Sequence, residues 1–369
     1  MQRVLLFGLG GLLLLGLAGA DLMARTAEAL VPDVTVAALG TDDHPDPTTV
    51  PVVTDGTETD EVVQVEPADT VTRQDVLLVG LDSRAGLSSE QMQEMGANDH
   101  GGALTDTMIW MQYLPDTNEL RMVSIPRDLA VDTDEFGTQK INALHALYED
   151  DGADRLITAV ESLIGADLDH YVEVNLAGLV ALTDAIGGVE ICIDEAIDDS
   201  KVGYIPAGCQ VLDGLDAGRF TRARHVSDSF GAGAHGRNAR QQYFIRQAVK
   251  QVLSAGTLTD PSALRGLAAV ASDVAVVDDG LTLAGIYDLA TLFRSTSPDD
   301  IDGVNFPVVS YIGDDGLYYE IPKPDTAEDV ASALRTGGQL PELDEEGNLV
   351  DDGVVAVREL DESPSWYDD

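Results

Sequence analysis

The chain has 369 residues, 44% of them hydrophobic, with 66 Asp and Glu against 21 Lys and Arg for a net charge of −45. That length is enough to bury a sizeable core in one or two domains. The acid excess excludes general nucleic-acid binding, because a polyanion would be repelled.

Arg3 is followed by VLLFGLGGLLLLGLAGA, uncharged as far as Asp21. Such a run can cross the hydrocarbon core as one helix. A cation before it and an acid after it place the body outside the cytoplasm. Residues 1–24 are read as a signal anchor, giving a single-pass protein of the cell membrane. Ala18-Gly19-Ala20 also forms an A-x-A-like cleavage site, so a retained anchor and a cleaved peptide both fit. Residues 25–73 are rich in Thr, Asp, Pro and Val without a sustained period, and are read as a disordered extracytoplasmic stalk.

The compact body is expected over residues 74–325. DVLLVGLD (75–82) has the continuous apolar run of a buried parallel strand. TMIWMQYL (107–114) and ELRMVSIP (119–126) are predicted strands, joined by the turn residues PDTN. INALHALYED and ADRLITAVESLIG have helical spacing, DHYVEVN reads as a strand, and LAGLVALTDAIGG as a helix closed by Gly187-Gly188. VEICID is the next strand, Gly236 to Ser254 a long helix, and LTLAGIYDLATLFR another helix. VNFPVVS and LYYEI are late strands. Strands alternating with helices predict an α/β fold, a mixed central sheet flanked by helices on both faces. Residues 326–369, acidic and poor in aromatics, are read as a partly disordered C-terminal tail. Cys192 and Cys209 are the only cysteines, and in an exported body they are expected to form a disulfide.

Chemistry concentrates at a few points. Asp82 and Arg84 end the first strand in GLDSR, the end at which open α/β sheets bind ligands. A strand-end Asp suits Mg²⁺, although an Asp paired with its neighbouring Arg would look the same in sequence. Asp106, just before the second strand in LTDTM, can cap a turn or supply a second carboxylate to the same ion. Arg127 and Asp128 follow the third strand in SIPRD, read either as a surface pair or as a phosphate contact. Lys140 and Asn142 open the next helix in KINALHA. A Lys there opposes the helix dipole unless an anion is bound.

Seven of the 21 cations fall in GRFTRARHVSDSFGAGAHGRNARQQYFIRQAVK. Arg222 and Arg224, two apart, face one side of an extended segment. A Gly-rich loop then enters a helix on which Arg237, Arg240 and Gln241 have i, i+3, i+4 spacing near the positive end. Guanidinium forks at a helix N-terminus make a phosphate site.

These segments, in the order VGLDSR, TDTM, VSIPRD, KINALHA, DHYVEVN, LTDAIGGVEI, TRARH and GRNARQQ, resemble the LytR-CpsA-Psr family from about Gln74 to Ser254. The resemblance implies a membrane-anchored extracytoplasmic phosphotransferase. Such an enzyme moves a glycopolymer from a polyprenyl-pyrophosphate carrier to a peptidoglycan hydroxyl. It implies a mixed sheet between helices with a pocket for the lipid chain. It places Mg²⁺ (or Mn²⁺) on Asp82 and Asp106, and the pyrophosphate on Arg84, Arg127, Lys140, Arg222, Arg224, Arg237, Arg240 and Gln241. The proton acceptor would be Asp106 or Asp128. The chain departs from the family pattern at Leu104, where an Arg is common, and at Ala234 and His235, where a second Asp is common; Asp228 is kept. Two other readings compete: a hydrolase of the lipid-linked donor, and a non-catalytic surface protein that binds anionic polymer.

Overall fold

The computed structural model describes residues 36–37, 72–95, 104–148, 151–226, 228–231, 233–254, 261–281, 301–313 and 315–341. The expected signal anchor, LTLAGIYDLATLFR after its first residue, and the chain beyond residue 341 lie outside this set. Among the described residues no helix is long and apolar enough to cross a membrane.

In chain order the strands begin with β1 (Val36–Ala37), β2 (Gln74–Leu81), β3 (Thr105–Leu114) and β4 (Glu119–Ser124). The hairpin β5 (Ala130–Thr133) and β6 (Gly137–Lys140) follows, then β7 (His170–Asn175). Two small antiparallel pairs come next, β8 (Val189–Ile193) with β11 (Gly208–Leu212) and β9 (Ile197–Asp199) with β10 (Gly203–Ile205). The last strands are β12 (Ala275–Asp278), β13 (Ile301–Asn305), β14 (Val308–Ile312) and β15 (Tyr318–Pro322). The helices are α1 (Ser89–Glu94), α2 (Leu144–Leu147), α3 (Gly152–Ile164), α4 (Leu176–Ala185), α5 (Gly214–Phe220), α6 (Gly233–Ser254), α7 (Pro261–Val274) and α8 (Pro324–Thr336).

The central sheet is mixed, in the order β1-β12-β7-β2-β3-β4-β13. β2, β3 and β4 form an antiparallel meander, and β7 and β13 join it in parallel with β2 and β4. Asn118, with φ of 57°, takes the left-handed position in the expected β3–β4 turn. Alternation along β2 splits the sheet into two unlike faces. Leu77 and Val79 point into a closed core with Trp110, Val123 and the inner faces of α3 and α8. On the opposite face Leu78, Ile109 and Met122 meet Ile245 and Val249 of α6.

One domain boundary read from sequence needs correction. The body does not stop at residue 325: α8 carries Ala327, Val330, Ala331 and Leu334 at i, i+3, i+4, i+7, and Val330 and Leu334 are fully buried. Glu328 and Asp329 are on its outer side, so composition reported the exposed face rather than disorder. Within the expected stalk, Val36–Ala37 pair in parallel with Val277–Asp278 at the sheet edge, and the rest of that segment apart from residues 72–73 lies outside the described residues. Val36 is β-branched, which suits a strand there.

The expected disulfide is present. Cys192 and Cys209 face each other across β8 and β11, and the Tyr243 hydroxyl hydrogen-bonds to the Cys192 backbone at 3.1 and 3.2 Å.

Candidate active site

A cavity of about 630 Å³ opens on the α6 face of the sheet, between α4, α6 and α7. Its inner wall is apolar, with Leu78, Leu179, Leu182, Ile186, Phe244 and Ala248 among the lining side chains. Its rim is charged. Arg127, Lys201, Arg222, Arg224 and Arg237 line it together with only two carboxylates, Asp82 and Asp106. In a chain of net charge −45, this excess of cations at one rim suits an anion.

Local backbone geometry aims the two carboxylates. Asp82 follows β2 directly, its backbone N–H donating to Leu104 O at 3.0 Å. Gly80 pairs with Thr107 and Leu81 with Thr105, so Asp106 is the extra residue of a β-bulge. A bulge re-aims one side chain out of the ladder, and here it turns Asp106 to the cavity. Asp106 thus lies within β3 rather than ahead of it, since the strand starts two residues earlier than TMIWMQYL predicts.

Asp106 gathers three guanidinium groups from separate parts of the chain. Arg127 Nη1 approaches to 2.6 Å, Arg224 Nη2 to 3.3 Å and Arg237 Nη1 to 3.5 Å. Arg127 also lies 3.6 Å from Asp128, whose other oxygen accepts from Lys140 Nζ at 2.8 Å. Arg84 pairs with Asp82 at 3.1 Å, the neighbour contact that sequence could not tell from a ligand. Burial lowers the pKa of Arg222 and Arg224, and the neighbouring guanidinium groups lower it further. Arg127 is raised instead: burial works against its charge, but Asp106, Asp128 and Glu320 outweigh it. Arg237 is 3% exposed, and its Nε has no acceptor among the described residues. A buried donor of this kind is a place for an anionic oxygen.

The arginine-rich loop is held by two buried carboxylates. Asp199, at the end of β9, accepts from the backbone N–H groups of Lys201, Arg224 and His225 at 2.7–2.8 Å. Burial pushes this carboxyl up, but those three donors and His225 hold it at about 2. Asp228 takes both forks of Arg240 at 2.7 and 3.1 Å, while Arg240 Nη1 reaches Ala223 O at 3.0 Å. Loop and helix approach so closely that a Cβ on Gly236 would lie 1.9 Å from Gly231 O.

Arg240 therefore departs from the expected pyrophosphate set. It is fully buried beneath the loop and does not line the cavity. Arg237 and Gln241, four apart on α6, share the cavity face, whereas one residue of helix turns Arg240 about 100° away, toward Asp228. The cavity lining likewise omits Arg84, Asp128 and Lys140, which stand behind the rim. Lys140 ends β6 ahead of a 3-10 turn, not on a helix. Lys201 and Asp199 had no motif to mark them, and His225 closes TRARH, where only the two arginines were singled out. Among the described residues no group of three or more His, Cys, Asp or Glu could enclose a metal ion. Asp82 and Asp106 nevertheless suit Mg²⁺, which is commonly held by one or two carboxylates plus phosphate oxygens and water.

The sequence model of the LytR_cpsA_psr family matches residues 48–336. Cell wall biosynthesis protein LcpA of Corynebacterium glutamicum is 35% identical over 268 residues, which is 65% of this chain and 51% of LcpA. The chain thus spans about half the length of that relative. The polyisoprenyl-teichoic acid–peptidoglycan teichoic acid transferase TagU of Bacillus cereus is 26% identical over 76% of this chain and 82% of its own. The crystal structure of Bacillus subtilis TagV, 22% identical, covers 72% of this chain and 97% of its own with a TM-score of 0.58. At that identity it speaks for the shared mixed α/β fold alone. The sequence match takes in every segment that builds the cavity, from β2 to α7, and the chain belongs to the LytR-CpsA-Psr family.

Proposed function

We propose that this chain is an extracytoplasmic phosphotransferase, anchored in the cell membrane, that moves a glycopolymer from a polyprenyl-pyrophosphate carrier to a hydroxyl of peptidoglycan. The observation that carries the reading is the joining of an apolar cavity to a cationic rim in one site. An amphiphile with a long hydrocarbon chain and an anionic head matches both parts, and a hydrophilic anion matches only the rim. The similarity to LcpA, a cell wall biosynthesis protein, and to TagU, a teichoic acid transferase, supports the same reading.

On this reading the polyprenyl chain lies between α4 and α6, and the pyrophosphate sits among Arg127, Arg222, Arg224 and Arg237. Phosphoryl transfer depends on positioning and on stabilising charge on the equatorial oxygens. Guanidinium groups already fixed in place do this without reorganisation. The acceptor oxygen attacks the phosphorus that bears the glycan. An O–P bond forms, the bridging P–O bond breaks, and polyprenyl phosphate leaves. The hydroxyl proton goes to Asp106 or Asp128, of which Asp106 lines the cavity while Asp128 contacts Arg127 and Lys140 behind the rim. Asp82 and Asp106 would hold one Mg²⁺, which when bound neutralises charge that develops on the phosphate oxygens.

The test is turnover of a polyprenyl-pyrophosphate glycan with and without peptidoglycan fragments, in Mg²⁺ and in EDTA. Product that carries both glycan and acceptor, formed only with metal, supports the reading. Free glycan phosphate formed equally with or without acceptor makes the chain a hydrolase, and no turnover makes it a binding protein.

A further inference from the structure

The hairpin β14–β15 has one buried and one open face. Tyr319 and Ile321 are 3% exposed and face inward. Their strand neighbours Tyr318 and Glu320 face outward, opposite Ile312 and Ser310 across the pair. Tyr318 is 41% exposed and Ile312 63%. The Tyr318 hydroxyl meets Ser310 Oγ at 2.7 Å and Glu320 Oε1 at 3.0 Å, which fixes the ring. The face is therefore an exposed aromatic ring and an aliphatic side chain, edged by a hydroxyl and a carboxylate.

This face is built onto the active site. The Glu320 N–H donates to Asp128 O at 2.9 Å, and Glu320 bridges to Leu129. Lys140 Nζ lies 5.5 Å from the centre of the Tyr318 ring and 2.8 Å from Asp128. Asp128 in turn contacts Arg127, and Arg127 contacts Asp106. The route Tyr318–Lys140–Asp128–Arg127 thus runs from the hairpin to the cavity rim, where Arg127 is the first member to line the cavity.

We infer that the outer face of β14–β15 is the docking platform for the acceptor, an uncharged, hydroxyl-rich glycan strand. The inference rests on the transferase reading for the identity of the acceptor, and the geometry selects its place. In-line transfer needs the nucleophile opposite the leaving group. The leaving polyprenyl phosphate points into the cavity, so the acceptor must approach Arg127 from outside it, and the hairpin flanks that side. A sugar ring offers an apolar face to Tyr318 and Ile312, and its hydroxyls offer donors to Glu320 and Ser310. An anionic glycopolymer would meet the Glu320 carboxylate on a strongly acidic protein, which disfavours the donor's own glycan here.

The experiment measures binding without donor, so its outcome does not depend on turnover. Uncharged β-1,4-linked N-acetylglucosamine chains, which share the glycan backbone without its carboxylates, are titrated into the whole protein by calorimetry. The variants are Tyr318→Ala, Tyr318→Phe and, as an exposed tyrosine elsewhere, Tyr204→Ala. Saturable binding is expected in the parent and in Tyr204→Ala, weakened about tenfold in Tyr318→Ala and far less in Tyr318→Phe, as truncation of an aromatic anchor predicts. In the transfer assay Tyr318→Ala should raise the acceptor KM by a similar factor with little change in kcat. Absence of saturable binding by the parent, or equal affinity in Tyr318→Ala, overturns the platform whether or not the enzyme transfers. Tyr318-dependent binding to phospholipid vesicles in place of glycan would also overturn it. Glycan binding that depends on Tyr318, in a protein that turns over no donor, would keep the platform and sink the transferase reading.

Discussion

Arg237 and Arg240 lie three residues apart on one helix, and their replacement by Ala should fail in opposite ways. Arg237 is nearly buried at the rim, 3.5 Å from Asp106, with an Nε that lacks an acceptor. Its positive neighbours lose nothing in the ground state when it goes. A bound pyrophosphate, by contrast, loses a charge-assisted hydrogen bond of about 1.5–3 kcal/mol. That predicts a fall in kcat/KM of roughly 10- to 100-fold for Arg237→Ala, with the melting temperature close to the parent's. Arg237→Lys should recover only part, because an ammonium cannot reproduce the fork. Arg240→Ala leaves Asp228, whose side chain is 4% exposed, as an unpaired buried charge. Breaking one side of such a pair costs about 3–5 kcal/mol, a drop of roughly 10 °C in a domain of this size. Thermal melts and steady-state kinetics on the same preparations decide the matter. A normal kcat/KM per folded molecule in Arg237→Ala, with a parent-like melt in Arg240→Ala, would refute both assignments.

Asp82→Asn should abolish the Mg²⁺ response of turnover while the protein still folds, since Asp82 is a partly exposed rim group; an unchanged metal titration would remove it from the metal site. Replacing both Cys192 and Cys209 by Ala should lower stability by about 3 kcal/mol, the loop-closure value for the 17-residue separation, as read by chemical denaturation. Asp199 gives a pH signature. Its folded pKa of about 2 lies below the ordinary 3.8, so its contribution is complete above pH 3.8 and disappears as pH falls toward 2. The span corresponds to about 2 kcal/mol. Asp199→Asn should therefore lose stability relative to the parent at neutral pH, with the gap narrowing across that acid window; a constant gap would contradict the role given to the three backbone donors.

Strand order along the chain and the signature residues were legible in the sequence because each depends on local pattern. A continuous apolar run marked β2, the turn residues PDTN marked the junction of β3 and β4, Gly187 and Gly188 marked the end of α4, and the clustering of arginines marked the rim. What escaped depends on tertiary partners. Arg240 looked equivalent to Arg237 because helical spacing says which residues are close, not which of them meets a carboxylate such as Asp228. Lys201 sits in a turn of no distinctive chemistry and reaches the rim only because Asp199 fixes the backbone beside it. Residues 326–336 looked like tail because average composition hides a four-residue apolar stripe, which the spacing of Ala327, Val330, Ala331 and Leu334 already carried.

The unlike faces of the sheet explain why the cavity itself could not be read in advance. The α3–α8 face is closed by side chains that interlock to zero exposure at Leu77, Val79, Leu156, Val160 and Leu334. Close packing there supplies the stability that an open site cannot, because a cavity forfeits the contacts its lining would otherwise make. On the other face α4 is apolar nearly all round. Leu176 and Val180 pack against Met95, while Leu179 and Leu182 line the cavity. A helix buried on two sides and a helix with one side on core and one on a lipid pocket have the same composition. The difference lies in what α6 leaves unfilled. Ala248 stands at the cavity wall where a larger side chain would occupy the space. Ala248→Leu should therefore keep the fold, fill part of the 630 Å³, and weaken a long-chain donor while sparing a short-chain one. Equal kcat/KM losses for donors of both chain lengths would place the lipid somewhere other than between α4 and α6.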